Sequence, residues 1–366
     1  MRHLLLSIIA TLGLIFYASA QETKWYDPME GNKCYVGCRI DHPELRDNYH
    51  RLPASMQSQL RSAVWSLSQN SAGLTIRFYC NAPSITVKYE LEGGTNMHNM
   101  APMGSSGVDL YSMDKNGRER WCAAPSGLII RRGESRYSYR DLVYEDGNPE
   151  GYLYELYLPL YNTVKWVKLG IPEGYNLRFV EPDNKKPIIV YGTSIAQGAS
   201  ASRPGMAWTS ILKRKFNTPV INLGFSGNGR LEAPIVDHIC KVDAAVYILD
   251  CIPNMCGMLN TIVPRITEAV EKIRRVSSAP IILAEHCGVP FAESSPKSDE
   301  AHNKGNKECR KAYEQLKKQG VKGLYYVSKE DIALTRDGSI DGWHPTDIGM
   351  MDYVNAYSKV LKKVLK

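Results

Sequence analysis

A serine, an aspartate and a histidine together can move an acyl group, and this chain presents all three in chemically suggestive settings. Ser194 stands near the end of Pro-Ile-Ile-Val-Tyr-Gly-Thr-Ser-Ile, an apolar run leading into helix-like residues. Asp341 precedes His344 by three residues in Asp-Gly-Trp-His-Pro-Thr-Asp. Between them lie Asn-Leu-Gly-Phe-Ser-Gly-Asn-Gly (222–229) and Leu-Asp-Cys-Ile-Pro-Asn (249–254). Acyl transfer needs a nucleophile, a base held by an acid, and donors for the developing oxyanion. Ser194, His344 and Asp341 suit the first three parts. The glycine-rich turn of the first of the two intervening blocks and the asparagine amide of the second suit the last. The Gly-x-Ser-x-Gly elbow of α/β-hydrolases is absent, because Ala196 fills its final position.

The four blocks, in this order, resemble those of the SGNH (GDSL-type) hydrolases over roughly residues 186 to 366. The resemblance implies that Ser194 is the nucleophile and also donates its backbone N–H. It implies that Gly227 and Asn254 complete the oxyanion hole, and that Asp341 and His344 complete the triad. Two blocks depart from the family pattern. Block one reads Gly-Thr-Ser-Ile rather than Gly-Asp-Ser-Leu, so Thr193 brings a hydroxyl where the family has a carboxylate. Block three reads Ile-Pro-Asn-Met rather than Gly-x-Asn-Asp. Upstream, Gly107-Val108-Asp109-Leu110-Tyr111 resembles the Gly-x-Asp-Leu-Tyr motif of a domain that precedes certain SGNH hydrolases. Arg51-Leu52-Pro53, Trp65-Ser66-Leu67 and Ser71-Ala72-Gly73-Leu74 are similar to that domain's earlier pattern, and the implied fold is a jelly-roll-like β-sandwich.

Each residue also has a structural reading. A serine after a strand caps a helix. Ser226-Gly227-Asn228-Gly229 is a turn, though a glycine also lets a backbone N–H approach an anion. Asn254 stands where it could cap a helix beginning near Gly257. Pro345 and Asp347 suit the first turn of a last helix, with Asp347 explained by that position and Asp341 as the partner of His344. Glu285-His286-Cys287 reads as a loop near the pocket rim. Asn96-Met97-His98-Asn99-Met100 is either a substrate-facing loop or ordinary loop packing.

The amino terminus is expected to lie outside the fold. Arg2 and His3 precede an apolar stretch from Leu4 to Tyr17, closed by Ala18-Ser19-Ala20. That is a signal-peptide pattern, too short for a membrane span. It implies a periplasmic or secreted protein with no stable membrane anchor after cleavage. The mature chain would hold 346 residues (366 minus 20), which favours two domains. Its charge of +7, or +6 without Arg2, is small for its length and scattered. A nucleic-acid partner is excluded on that ground. Nine cysteines form no Cys-x-x-Cys pair and have no spaced histidine partners, so neither a metal nor another cofactor is expected.

The elements follow from periodicity. Ile85, Val87, Tyr89 and Leu91 alternate with polar residues as in a half-buried strand. Leu74–Cys80, Tyr137–Tyr144, Tyr152–Leu158 and Val164–Leu169 are further strands of a sandwich over residues 21–182. Over 183–366, five short apolar runs suit a parallel sheet: Ile188–Tyr191, Val220–Leu223, Ala244–Leu249, Ile281–Ala284 and Leu324–Val327. Ile262, Ile266, Val270 and Ile273 mark one intervening helix, and Val354, Tyr357, Leu361 and Val364 mark the last. The expected architecture is a flavodoxin-like α/β domain behind the sandwich. The expected function is exported serine ester hydrolysis that deacylates, and in particular deacetylates, a saccharide or polysaccharide, with an acylated saccharide or other small ester as the substrate. The alternatives are a lipase- or thioesterase-type acylhydrolase, and a carbohydrate-binding protein with an inert hydrolase domain. The sandwich is expected to hold no catalytic residue while shaping the substrate cleft.

Overall fold

The computed structural model describes residues 22–124, 126–142 and 148–365. The proposed signal segment 1–20 and the last two residues of the strand expected to reach Tyr144 lie outside them; that strand ends at Tyr139, with residues 140–142 in no strand. Among the described residues, ten strands form the first region. They are β1 (Thr23–Tyr26), β2 (Val36–Gly37), β3 (Thr75–Cys80), β4 (Ile85–Leu91), β5 (Asp109–Met113), β6 (Glu119–Cys122), β7 (Gly133–Tyr139), β8 (Tyr152–Tyr157), β9 (Val164–Pro172) and β10 (Leu177–Val180). They pair antiparallel into one sheet of order β1-β9-β4-β7 and another of order β10-β3-β8-β5-β6, with β2 on β3. Val87, Tyr89, Phe78, Leu110, Leu156 and Leu169 meet between the sheets, so the alternation seen in the sequence is the inner face of a β-sandwich. The strand expected from Tyr137 begins earlier, at Gly133, because Gly133 to Tyr139 pairs in register along all of β4. Its apolar residues mark only the half that faces inward.

The second region alternates strand and helix. Strands β11 (Ile188–Gly192), β12 (Val220–Gly224), β13 (Val246–Asp250), β14 (Ile281–Ala284) and β15 (Leu324–Val327) are parallel, in the order β12-β11-β13-β14-β15. That is the flavodoxin-like arrangement, whose crevice opens where the connections diverge, at the carboxyl ends of β11 and β13. In chain order the helices are α1 (Ser62–Ser68), α2 (Pro102–Ser106), α3 (Ser194–Gln197), α4 (Trp208–Phe216), α5 (Ala233–Ile239), α6 (Leu259–Val276), α7 (Pro296–Lys318), α8 (Lys329–Ile332) and α9 (Asp347–Val364). Ile262, Ile266, Val270 and Ile273 of α6 are buried against the sheet, as are Val354, Tyr357 and Leu361 of α9.

The two regions do not keep separate cores. Ile40, Leu52, Met56 and Val64 pack with Leu223, Ile235 and Leu249 on one side of the parallel sheet. Ala72, Met100 and Leu160 pack with Ile195, Trp208 and Met350 on the other. The residues of the upstream sequence patterns lie at this junction. Arg51 is buried, donating from Nη1 to the carbonyls of Asn222 and Gly224 and from Nη2 to that of Leu67. Burial lowers its guanidinium to about 9. Gly73 sits directly on the Asn222 side chain. Asp109 accepts from Trp121 Nε1, from the Gly205 N–H and from Arg203 Nη1. A motif that sequence places at the start of a strand is therefore a latch between the regions, with a buried carboxylate answered by a cation and two N–H donors.

Candidate active site

Ser194 lies just past the carboxyl end of β11. Thr193 is the helix cap, its hydroxyl accepting from the Ile195 N–H at 3.4 Å. Ser194 is the first residue inside α3, so the capping reading belongs to its neighbour. This also gives Thr193 its use in place of the family's carboxylate: a short hydroxyl suits a cap at a position buried to 0% exposure. Ser194 itself is 6% exposed. Its Oγ lies 2.9 Å from His344 Nε2.

His344 arrives from the other end of the chain. It sits in a bend two residues before the α9 cap, Thr346, so Pro345 lies before the helix rather than in its first turn. Asp341 folds back on this bend. Its Oδ1 accepts the backbone N–H groups of Trp343 and His344 at 3.0 and 2.8 Å. Its Oδ2 accepts from His344 Nδ1 at 2.7 Å. Burial alone would raise the Asp341 carboxyl, but these hydrogen bonds outweigh it and hold the group below its ordinary value. An ionised Asp341 fixes the proton of His344 on Nδ1 and leaves Nε2 free to accept one from Ser194. The competing carboxylate, Asp347, is in the first turn of α9 as expected, but it turns away to the N–H and hydroxyl of Ser202.

The oxyanion candidates come from the ends of β12 and β13. Gly227 lies in the turn after β12 with φ of 68°. Two residues on, Gly229 abuts Thr193, where any Cβ would collide with the Gly192 carbonyl. Glycine is thus required for the turn to close over the Ser194 segment. The turn is tied further by the Ser226 N–H, which donates to Gln197 Oε1 of α3. Asn254 ends a short 3-10 turn, Ile252–Asn254, and α6 begins five residues later with Met258 as its cap. The helix-cap reading of Asn254 is therefore not what the structure shows. Its Oδ1 accepts from the Gly229 N–H at 3.1 Å, which orients the Nδ2 amide as the remaining donor. Ser194, Gly227 and Asn254 thus share one rim at the strand ends. Preorganised N–H groups on such a rim are what a tetrahedral oxyanion requires.

Other sequence expectations fare differently. Glu285, His286 and Cys287 are not a rim loop but are buried, at 2, 1 and 4% exposure. Glu285 is answered by Tyr326, Arg310 and the Lys329 N–H. His286 stacks on His302 with centroids 3.7 Å apart, and His302 and Trp343 meet at right angles. Cys251 packs as a small buried residue at the end of β13. None of the nine cysteines is in a disulfide.

The sandwich contributes more to the site than sequence indicates. Tyr161 donates its hydroxyl to the Ser194 carbonyl at 3.3 Å. Asn99 places Nδ2 3.3 Å from both Asp341 Oδ2 and His344 Nδ1. No local pattern marks these residues, since Asn99 is 242 positions from Asp341.

Known proteins resemble this chain in both regions. Residues 185–362 match the GDSL-like Lipase/Acylhydrolase family. Residues 23–177 match the GxDLY family, the N-terminus of Esterase_SGNH_hydro-type proteins. Among solved structures, one described as a GDSL-like lipase from Bacteroides ovatus is 29% identical, covering 94% of this chain and 98% of its own, with a TM-score of 0.82. The salicylyl-acyltransferase SsfX3 of a tetracycline biosynthetic pathway is 16% identical, covering 93% and 97%, with a TM-score of 0.70. An active-site mutant of a family two carbohydrate esterase from Clostridium thermocellum is 12% identical, covering 80% and 91%, with a TM-score of 0.51. These last two show a shared fold. No curated protein matches the chain in sequence.

Proposed function

We propose a specific activity for this chain, which belongs to the SGNH (GDSL-like) acylhydrolases with a GxDLY-type N-terminal domain and is a carboxylic ester hydrolase: it is exported and removes acyl groups, acetyl above all, from a saccharide. The observation that carries the chemistry is the continuous chain of contacts from Ser194 Oγ to His344 Nε2 and from His344 Nδ1 to Asp341 Oδ2, at 2.9 and 2.7 Å.

In this reading Ser194 Oγ attacks the ester carbonyl as its proton passes to His344 Nε2. The N–H groups of Ser194 and Gly227 and the Asn254 amide receive the oxyanion. Collapse expels the sugar hydroxyl, which takes the proton back from His344. Water, deprotonated by the same imidazole, then releases the acid and restores Ser194.

Support for a saccharide comes from Trp343, next to the base. It is 51% exposed although its ring is braced at right angles against His302. A braced, half-exposed indole suits stacking on a sugar ring. The carbohydrate esterase of similar fold agrees with this, as do the signal-like residues 1–20 for export. Acetate release from a panel of acetylated oligosaccharides, set beside p-nitrophenyl esters of two to twelve carbons, tests the proposal. Faster turnover of an acetylated glycan, lost in Ser194→Ala and with KM raised in Trp343→Ala, is the expected result. A preference for long acyl chains, with no glycan turned over, would overturn the saccharide assignment.

A further inference from the structure

The acid–base pair is made by one region of the chain and touched by a side chain from the other. Asn99 belongs to the segment between β4 and α2, in the sandwich region. It is 6% exposed. Its Nδ2 lies 3.3 Å from Asp341 Oδ2, the same oxygen that receives the proton-bearing His344 Nδ1. We propose that Asn99 is a positioning residue for the Asp341–His344 pair, a donor lent by the sandwich that fixes the carboxylate against the imidazole. The inference rests on the acyl-transfer reading of this site.

Three features of the segment support it. First, its backbone is anchored where side-chain placement matters. The Asn99 carbonyl accepts from Ser200 Oγ at 3.0 Å, and Met97 and Met100 pair across the loop. Met100 is buried in the same core as Ile195, Ala196 and Met350, so the loop is pinned between the elements that carry Ser194 and follow His344. Second, charge favours this orientation of the amide. Nδ2 lies 3.3 Å from both the carboxylate oxygen and His344 Nδ1; reversed, Oδ1 would meet the Nδ1–H but would face the charged oxygen as acceptor against acceptor, and the contact to the ionised group weighs more. Third, the placement is poor for stability alone. Oδ1 is buried and has no hydrogen-bond partner among the described residues. A half-satisfied buried amide costs folding free energy, and its donors reach only the pair that would do the chemistry.

The consequence follows from charge. Asp341 stabilises the imidazolium that forms when His344 takes the serine proton. A donor on Oδ2 withdraws part of that negative charge and holds the oxygen in line with Nδ1. Removing the donor strengthens the field at His344, so the imidazole loses its proton at higher pH, while the carboxylate gains freedom to turn. The groups that face His344 are Ser194 on α3, Asp341 on its own bend and Asn99 on the sandwich loop. His286, beyond β14, couples to it more weakly. Burial holds the imidazoles of His286 and His302 below the ordinary range, so neither gains a proton in the window that matters.

The test uses the full-length protein and the dependence of kcat and kcat/KM on pH with a short-chain p-nitrophenyl ester. Asn99→Leu keeps the size and removes the donor. It should lower kcat about tenfold to a hundredfold, the effect of losing a hydrogen bond to a charged acceptor. KM should change little, and the acid limb of kcat/KM should move to higher pH. Asn99→Asp keeps the shape and adds a charge, so it should move the limb further, by about one unit or more. A loop that only holds the fold would lower the melting temperature and leave the limb in place. Either variant, folded, with kcat and acid limb unchanged would overturn the inference. If Asn99→Leu does not fold, the limb of Asn99→Asp decides. Ser194→Ala, assayed alongside, separates the two claims. Retained turnover there removes the acyl-transfer reading itself, whereas lost turnover there with normal Asn99 variants removes only the positioning role.

Discussion

The proposed nucleophile and base of this site are held by different means. Ser194, Gly227 and Asn254 stand at the ends of three neighbouring parallel strands, where the ladder registers Ile188 to Gly192 against both β12 and β13. Their positions are fixed by the most buried part of the molecule. His344 and Asp341 stand in a bend before α9, with side chains 22 and 31% exposed. That bend belongs to no sheet: Ser339 and Pro345 pair across it in an isolated antiparallel bridge, and the Ile340 N–H and Ser339 Oγ donate to the His344 carbonyl. The side chains on it are set further by the carboxylate of Asp341 gathering two backbone N–H groups, and by contacts made by Asn99 and His302. The comparison teaches that a sheet can position a nucleophile unaided, whereas a base on a loop has to be held by side chains from elsewhere.

The sharpest way to break this comparison is on the sheet side. Ser194→Ala should lower kcat by about a millionfold, as for other triad nucleophiles, with an unchanged melting curve; near-normal turnover would remove the serine from the chemistry. On the loop side, Asp341→Asn preserves the turn but favours the wrong imidazole tautomer, so a loss of about ten thousandfold is expected. A loss of only a few fold, measured in steady state at pH 8, would mean that Asp341 is a turn residue and no more. Asn254→Ala should cost about a hundredfold to a thousandfold in kcat with KM little altered. If the melting temperature falls instead and kcat stands, its amide serves only the Gly229 turn.

The smallest effect on turnover is expected beneath the nucleophile. Asp250, paired in register with Gly192, is fully buried, with Tyr357 donating to Oδ2 and Oδ1 unpartnered among the described residues. Burial pushes its carboxyl up to about 7. In the unfolded chain it would titrate near ~3.9. Between about pH 4 and 7 the native state keeps a proton that the unfolded state has released, so this group's contribution to stability falls as pH rises through that window. At 1.36 kcal/mol per unit the loss is about 4 kcal/mol. Asp250→Asn should keep the Tyr357 hydrogen bond, raise the melting temperature at pH 8 and leave it nearly unchanged at pH 4. Equal melting shifts at both values would show that the carboxyl is not the source.

What sequence made legible was local. The strand-end blocks around Ser194, Gly227 and Asn254 announce themselves because apolar runs are followed at once by polar and glycine residues. The Asp341–His344 pair announces itself by a spacing that one turn can close. The five parallel strands and the faces of α6 and α9 follow from periodicity. What stayed hidden depends on long-range packing. Arg51, Gly73 and Asp109 belong to recognisable patterns, yet their use as a junction appears only when Asn222, Gly224 and Arg203 are brought to them. The His286–His302 stack joins a residue just beyond β14 to one on α7, and their neighbours carry no shared signal. Asn99 looked like any loop residue, because the groups that give it meaning lie at the far end of the chain.

The shared cores bear on how such a molecule is made. Leu52, Met56 and Val64 leave the ribosome early, but the surfaces that cover them belong to β12, α5 and β13. Arg51 must wait for the carbonyl of Asn222, 171 residues later. Until then these apolar groups have no native cover, and closing so long a loop is slow. The amino-terminal region is therefore expected not to finish folding ahead of the remainder, with the parallel strands completing both halves at once. A chain interrupted before β13 is expected to expose these side chains to aggregation and chaperones rather than accumulate as a folded sandwich, an order of assembly set by three aliphatic residues that never touch substrate.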